Sequence, residues 1–250
     1  MNNSYDFQAK TWPEIAAYVA QGAILILPVG STEAHGPHLP LATDAIISTE
    51  MARRAAAKLT AQGRSTLVLP AISYSVTDFS VDFPGSISLR AETAIAVMID
   101  ICKSLIKQGF VRICIANSHL EPAHISTIHQ TCRQIEAETG IKVAFPDKCR
   151  RRWAQGLTAE FQSGACHAGS YESSLVMAVA PELVKENLRQ QLPSVDISLS
   201  AAIKAGIDNF KVAGGTQAYF GQPAAASSTE GEQSYQILAD MLVIAISETF

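Results

Sequence analysis

Two short runs of apolar residues constrain the fold of this chain more than any other feature. Residues 23–29 and 111–116 are apolar almost throughout, and glycine, serine or asparagine follows each run directly. Unbroken runs of this length are typical of strands that are buried on both faces, as in parallel sheets. Two shorter apolar runs at 66–70 and 142–145 predict further strands.

Helical patterns separate these runs. Thr11 and Glu14 form a capping-box pattern that opens a helix to about residue 21, and helices are also predicted at about 45–60, 91–108, 123–138 and 230–248. Strands that alternate with helices predict an α/β fold of three layers, α/β/α, with a mostly parallel central sheet. No linker or repeat divides the chain, so we expect one domain over 1–250. Residues 187–228 predict only loops and short elements.

Composition excludes several classes of protein. The net charge is −4 and the aromatic content is 7%, so no basic, aromatic-rich face for nucleic acid is evident. No apolar run reaches membrane-spanning length, and the amino end lacks the pattern of a secretory signal. The five cysteines, at 102, 114, 132, 149 and 166, are odd in number and have no paired spacing. A reducing cytoplasm is the expected location.

Candidate metal ligands follow both long apolar runs. Glu33, His35 and Asp44 come after the first run, and His119 and Glu121 come after the second. In extended chain, residues i and i+2 point to the same side, which would pair Glu33 with His35 and His119 with Glu121. Three carboxylates and two imidazoles suffice for two divalent ions that share a ligand, a combination that suits zinc or manganese and hydrolysis.

Structural alternatives exist for each candidate ligand. Asp44 could cap the following helix, and His119 and Glu121 could pair with each other. A single-metal site with Glu33 or Glu121 as general base is a further alternative. The clustering of these residues in loops after apolar runs favours a metal site, since open α/β sheets place their sites at the carboxyl ends of strands.

Amide hydrolysis also requires a proton for the departing nitrogen. His167 is the best candidate for this role, because Ala168 and Gly169 leave room beside it; the alternative is that it caps a helix beginning near Tyr171. Glu172 lies in the first turn of that helix, and we expect it to support the ligands rather than to bind metal. His38 is a candidate partner that orients a ligand. His124 and His129 are expected to be structural.

Four blocks of sequence resemble the creatininase (creatinine amidohydrolase) family. They lie at 27–44, 83–86, 117–121 and 167–174, with a weaker match over 221–232. The resemblance implies hydrolysis of a non-peptide C–N bond in a small cyclic amide or formamide, with two divalent ions, zinc or manganese and alternatively iron. It implies that Glu33, Asp44 and His119 hold one ion, and that His35, Asp44 and Glu121 hold the other.

The resemblance also implies that His167 transfers a proton, that Ser86 lies near the substrate, and that the subunits form a closed homo-oligomer, a hexamer. Some positions depart from the family pattern: Phe79 and Ser80 replace a Glu-His pair, Ser118 replaces a glycine, and Ser163 and Lys148 replace two tryptophans that stack on creatinine. We therefore expect a substrate other than creatinine. Creatinine itself, or a catalytically silent oligomeric metal-binding protein, is the alternative.

Lys148 suggests what the substrate carries instead. It follows the strand predicted at 142–145, and a lysine there would favour an anionic substrate. The alternative is that Lys148 and the arginines at 150–152 form a solvated basic segment or a subunit contact.

Overall fold

The computed structural model describes residues 3–165 and 167–250, so Cys166 lies outside the described residues. The strands are β1 (Ile24–Val29), β2 (Thr66–Val68), β3 (Arg112–Asn117) and β4 (Val143–Ala144). The helices are α1 (Trp12–Ala20), α2 (Thr43–Ala61), α3 (Ala91–Lys107), α4 (Pro122–Thr139), α5 (Arg151–Ala154), α6 (Ala159–Ser163), α7 (Ser170–Val179), α8 (Glu186–Arg189), α9 (Leu199–Lys204) and α10 (Ser228–Thr249).

The four strands form a parallel sheet in the order β2-β1-β3-β4. β1 pairs with β3 over its whole length, from Ile24 opposite Arg112 to Val29 opposite Asn117. β4 and β2 are shorter than the predicted runs, at two and three residues. The predicted fold class, an α/β protein with a mostly parallel sheet, is confirmed.

Alternate residues of the strands pack into two separate helical layers. Ile24 and Ile26 of β1 lie in a core shared with α2, α7 and α10, whereas Leu25 and Leu27 lie in a core shared with α3 and α4. Both sets are fully buried, as expected for a strand whose two faces are covered. This explains why the first apolar run shows no polar alternation.

The strand order reverses at β1. The chain leaves β1 for β2 on one side and then crosses to β3 on the other, so the loops after β1 and β3 diverge above the sheet. Such switch points are where open α/β sheets form ligand crevices. A third cluster of buried residues, which includes Phe79, Phe210 and Phe220, lies over this edge. None of the helices in the described part of the chain combines the length and apolarity needed to cross a membrane.

Candidate metal centre

Asp44 is held at the amino end of α2. The backbone N–H of Ser31 and its hydroxyl donate to Asp44 Oδ2 at 3.2 and 2.7 Å, and Ser118 Oγ donates to the backbone carbonyl of Asp44 at 2.6 Å. The side chain caps no helical N–H, so the helix-cap interpretation of Asp44 does not hold. Gly30 permits this approach, because a Cβ there would stand 2.6 Å from Asp44 Cβ.

Glu33, Asp44 and His119 form the first group of donor atoms. Nδ1 of His119 lies 3.0 Å from Glu33 Oε1 and 3.2 Å from Asp44 Oδ2. His119 Nε2 lies 2.8 Å from the backbone carbonyl of Val76, which can only accept, so Nε2 carries a proton. The other oxygen of Glu33 accepts from the hydroxyl of Thr77. All three side chains are buried and their donor atoms lie within 4.8 Å of one another.

His35, Asp44 and Glu172 form the second group. Nε2 of His35 lies 3.6 Å from Asp44 Oδ1 and 3.6 Å from Glu172 Oε2. Nδ1 of His35 donates to the backbone carbonyl of Glu33 at 3.2 Å, which turns Nε2 towards the carboxylates. That nitrogen is buried and has no hydrogen-bond partner. A buried nitrogen lone pair that faces carboxylate oxygens is a donor set that a divalent cation fits.

The pKa values of the side chains in this cluster also indicate that the buried carboxylates need positive charge nearby. Burial alone would raise the pKa of Glu33, but the charge and hydrogen bond of His119 outweigh it and lower the pKa to about 2. Burial opposes protonation of His35, yet the nearby carboxylates of Asp44, Glu172 and Glu33 raise its pKa to about 10. Burial raises the pKa of Glu172 to about 7. Without metal, protons and imidazolium charge must therefore balance the buried carboxylates.

Glu121 belongs to neither of the two donor groups. Its carboxylate accepts from the backbone N–H groups of Asp78 and Phe79 at 3.1 and 3.2 Å. The same-side argument for His119 and Glu121 requires extended chain, but β3 ends at Asn117 and Glu121 is already the N-cap residue of α4. Glu172, predicted to be only a supporting residue, lies with His35 and Asp44 in the second donor group.

His167 lies beside the cluster and forms a third group of possible metal ligands with Glu33 and His35. Its Nε2 donates to the backbone carbonyl of Ala34 at 2.9 Å, which leaves Nδ1 with the lone pair of the neutral ring. The ring centroid lies 4.4 Å from that of His35 and 4.3 Å from that of Phe210. Burial, with the charge of His35, lowers the pKa of His167 to about 4. The N-cap residue of α7 is Gly169, so His167 does not cap that helix.

The lower-ranked site residues take supporting positions. His38 Nε2 lies 2.8 Å from Ser173 Oγ, next to Glu172 in the chain, and the Ser86 hydroxyl accepts from the backbone N–H of Ala34 at 3.0 Å. Both therefore contact the framework of the site rather than a donor atom. His124 is structural but not remote, because its ring lies 4.8 Å from that of His119 and it contacts Asn117 and Ser75.

Lys148 and the arginines that follow it have different surroundings. Lys148 is buried, its Nζ lies 5.9 Å from the ring centre of Tyr171, and its charge is among the influences that lower the pKa of Glu172. A solvated position is thus wrong for Lys148. Arg150 and Arg152 are exposed and pair with Asp147 and Glu248.

A cavity of about 380 Å³ opens onto the cluster, within the size range of small-molecule sites. Besides the candidate ligands, it is lined by residues that the sequence did not point to: Phe161, Gln162, Leu199, Ser200, Ile203, Lys204 and Phe210. Most of them belong to the segment 187–228. The only available signal was the i, i+4 spacing of Leu199 with Ile203 and of Ser200 with Lys204, which is too short a pattern to identify a helix.

The fold and these two donor groups together define an α/β protein with a buried candidate centre for divalent metal ions. The sequence profile of the creatininase family, described as creatinine amidohydrolase, matches residues 8–246. The chain belongs to the creatininase family, which confirms the resemblance found in the sequence.

Two characterised relatives differ in the activity that they are named for. The mycofactocin precursor peptide peptidase of Mycobacterium ulcerans (strain Agy99) is 28% identical over 245 residues, covering 95% of this chain and 86% of the relative. The creatinine amidohydrolase of Pseudomonas putida is 28% identical over 204 residues, covering 74% of this chain and 75% of the relative.

Solved structures show the same fold. A mutant creatininase complexed with creatine aligns with a TM-score of 0.77 at 23% identity and covers 99% of each chain. A manganese form of creatininase aligns with a TM-score of 0.75 at 24% identity, covering 99% of each chain. A Zn–Zn form of a mutant creatininase aligns with a TM-score of 0.75 at 23% identity, covering 99% of this chain and 98% of the other.

Proposed function

We propose that this protein is a dinuclear metal-dependent amidohydrolase that cleaves the C–N bond of a small cyclic amide or formamide other than creatinine. The observation that carries the proposal is the pair of buried donor groups that share Asp44. Glu33, Asp44 and His119 would hold one ion, and His35, Asp44 and Glu172 the other. Carboxylate and imidazole donors suit zinc, manganese or iron, and the manganese and Zn–Zn forms of creatininase support the first two.

Two bound divalent ions supply Lewis-acid chemistry, since they make water more acidic and polarise a carbonyl group. The protein must supply the proton transfers. Glu121 lines the cavity outside the donor groups, and burial raises its pKa, so it is suited to take a proton from the attacking water. His167 has its lone pair at Nδ1, and its N–H is bound to the carbonyl of Ala34, so we assign it a relay role: Nδ1 accepts a proton that the attacking water gives up and then passes it to the departing nitrogen.

The choice of substrate rests on two departures from the family pattern, at residues that do not themselves line the cavity. Ser163 and Lys148 replace the two stacking tryptophans expected for creatinine, and Lys148 is buried beside Tyr171. Cleavage of a peptide bond is a second candidate function, because the mycofactocin peptidase match extends over more of this chain than the creatinine amidohydrolase match does.

We further propose a closed homo-oligomer, a hexamer, in the cytoplasm. Trp12 and Val212, which are 82% and 72% exposed, are the apolar side chains that we assign to subunit contacts. The four described cysteines are free, in keeping with a reducing compartment. Sedimentation that gives a monomer at micromolar concentration would refute the assembly.

Metal counting tests the site. The purified protein, reconstituted with zinc, should carry two ions per chain by elemental analysis. Glu172→Gln should retain one, whereas Glu121→Gln should retain two and lose turnover. Glu92→Gln, an exposed site on α3, is the matched control and should keep both ions. One ion in the wild-type protein, unchanged in Glu172→Gln, would contradict the dinuclear site.

A substrate panel tests the reaction. The zinc and manganese forms should be given creatinine, other cyclic amides, N-formyl amino acids and short peptides. We expect turnover of an amide or formamide with little on creatinine. Creatinine turnover on the order of 10 s⁻¹ would identify a creatinine amidohydrolase instead. Cleavage of peptides alone would favour the peptidase, and no turnover of any compound would favour the silent metal-binding protein.

A further inference from the structure

The cavity has two chemically different parts. One part consists of the candidate ligands with Glu121 and His167, and the other is mainly apolar. The apolar part is lined by side chains from five segments of the chain: Phe79, Leu120, Phe161, Leu199, Ile203 and Phe210. The volume of the whole cavity and the aromatic lining of this part suit a substrate with an apolar side chain next to the bond that is cleaved.

Of the described residues that line this cavity, one is a lysine and none is an arginine. Lys204 is the last residue of α9, whose Leu199, Ser200 and Ile203 also face the cavity. Among the described residues, the lysines in ion pairs are Lys58, Lys103 and Lys142, and Lys204 is not one of them. Its side chain is exposed, so the ammonium group can meet an incoming ligand without first breaking an ion pair.

The charge balance of the cavity makes this ammonium significant. Four carboxylates line the cavity: Glu33, Asp44, Glu121 and Glu172. Two divalent ions would neutralise them, which is the step that rests on the proposed function. Lys204 then leaves the cavity with a net positive charge, and a cavity of one sign attracts ligands of the opposite sign.

We propose that the substrate carries an anionic group, such as a carboxylate, away from the scissile bond, and that Lys204 binds this group and determines specificity. An N-acylated amino acid with an apolar side chain has all three features: an amide bond, an apolar body and a carboxylate. Lys148, the cation that the sequence suggested for this role, is buried against Tyr171 and does not line the cavity.

The test uses two compounds that differ in a single group, N-formyl-L-phenylalanine and N-formyl-L-phenylalaninamide. With zinc-loaded wild-type enzyme, the carboxylate should have the higher kcat/KM. Lys204→Gln should lower kcat/KM for the carboxylate by roughly 10- to 100-fold, mainly through KM, and leave the amide unchanged. Lys204→Arg should restore most of the preference. Lys107→Gln, an exposed lysine on α3 outside the cavity, should change neither compound.

Equilibrium binding separates this proposal from the proposed reaction. If neither compound is hydrolysed, both are titrated by calorimetry into the zinc-loaded protein. Every variant is compared in the same zinc-loaded form, so differences in affinity are due to the substituted residue. The wild-type protein should bind the carboxylate compound more tightly than the amide, and Lys204→Gln should lose this difference. That result would support the binding role of Lys204 even though the hydrolase proposal had failed for these compounds. Equal kcat/KM or affinity for both compounds, or a preference that survives in Lys204→Gln, would overturn the role of Lys204, as would binding of neither.

Discussion

At the scale of single residues, backbone carbonyls determine which nitrogen of each site histidine is available. Glu33 accepts from Nδ1 of His35, Val76 from Nε2 of His119, and Ala34 from Nε2 of His167. A carbonyl can only accept, so it selects the tautomer and directs the other nitrogen into the site. Each imidazole is thus oriented by the backbone before any ligand arrives.

His167 is predicted to move protons and not to hold metal. His167 forms a third group of possible ligands with Glu33 and His35, but each of these two residues also belongs to a group that contains Asp44, so two ions can be held without His167. His167→Ala should therefore retain both zinc ions and lose turnover by roughly 10²–10⁴-fold. His129→Ala, a partly exposed histidine that pairs with Asp147, is the control and should keep both properties. A parallel loss of zinc and activity in His167→Ala would make His167 a ligand.

His38 makes the stability of the protein depend on pH. Burial, with the charges of His35 and Arg189, lowers its pKa to about 4, whereas an unfolded histidine titrates near 6.5. Between these values the unfolded state binds the extra proton. The contribution of His38 is therefore present above pH 6.5 and is lost as the pH falls from 6.5 to 4. By pH 5, about 2 kcal/mol of this contribution has been lost.

The variant His38→Gln keeps a donor for Ser173 but cannot titrate. Urea unfolding of the wild-type protein and the variant at pH 7.5 and pH 5 should show that the variant loses about 2 kcal/mol less than the wild type on acidification. His129→Gln serves as the control for the same substitution at a partly exposed site. An identical loss in His38→Gln and the wild type would contradict the buried neutral histidine.

At the scale of elements, the junction between β1 and α2 determines where Asp44 stands. A Cβ at Gly30 would meet Asp44 Cβ at 2.6 Å and the backbone of Asp44 at 2.9 Å, and backbone cannot move aside as a flexible side chain can. Gly30→Ala should thus push the start of α2 away from the strand, at a cost of about 1–3 kcal/mol in stability.

Since Asp44 belongs to both donor groups, Gly30→Ala should lower the affinity for both ions together. Competition with a chelator measures this. Gly156→Ala is the control, because its Cβ would make an ordinary 3.4 Å contact with Ile237. Unchanged zinc affinity in Gly30→Ala would show that the close approach is not required.

The long helices could be predicted from the sequence, whereas contacts between distant segments could not. α2, α3, α4 and α10 have seventeen or more residues each and a periodic apolar face, so their existence followed from local pattern. α9 has six residues and no such pattern. The position of Glu172 beside His35 and Asp44 could not be predicted, because it depends on how α7 packs against α2, which is a contact between distant segments.

At the scale of the whole molecule, the candidate metal centre joins four separate parts of the chain. Glu33 and His35 lie in the loop after β1, Asp44 lies in α2, His119 follows β3 and Glu172 lies in α7. In the metal-free protein, several carboxylates are buried together, and the imidazolium charges of His35 and His119 lie among them. Bound cations would replace that arrangement and link the four parts, so metal binding should be coupled to global stability.

The last prediction follows from this coupling. A ligand at one hundred times its dissociation constant stabilises the folded state by about 2.7 kcal/mol per site, which corresponds to roughly 5–10 °C in Tm for a chain of this length. Zinc at that excess should raise the Tm of the stripped wild-type protein by twice that amount. Glu172→Gln should gain only about half as much, because one donor group remains, whereas Glu92→Gln should gain as much as the wild type. Calorimetric melting with and without zinc measures these shifts, and an equal gain in Glu172→Gln and the wild type would remove Glu172 from the metal centre.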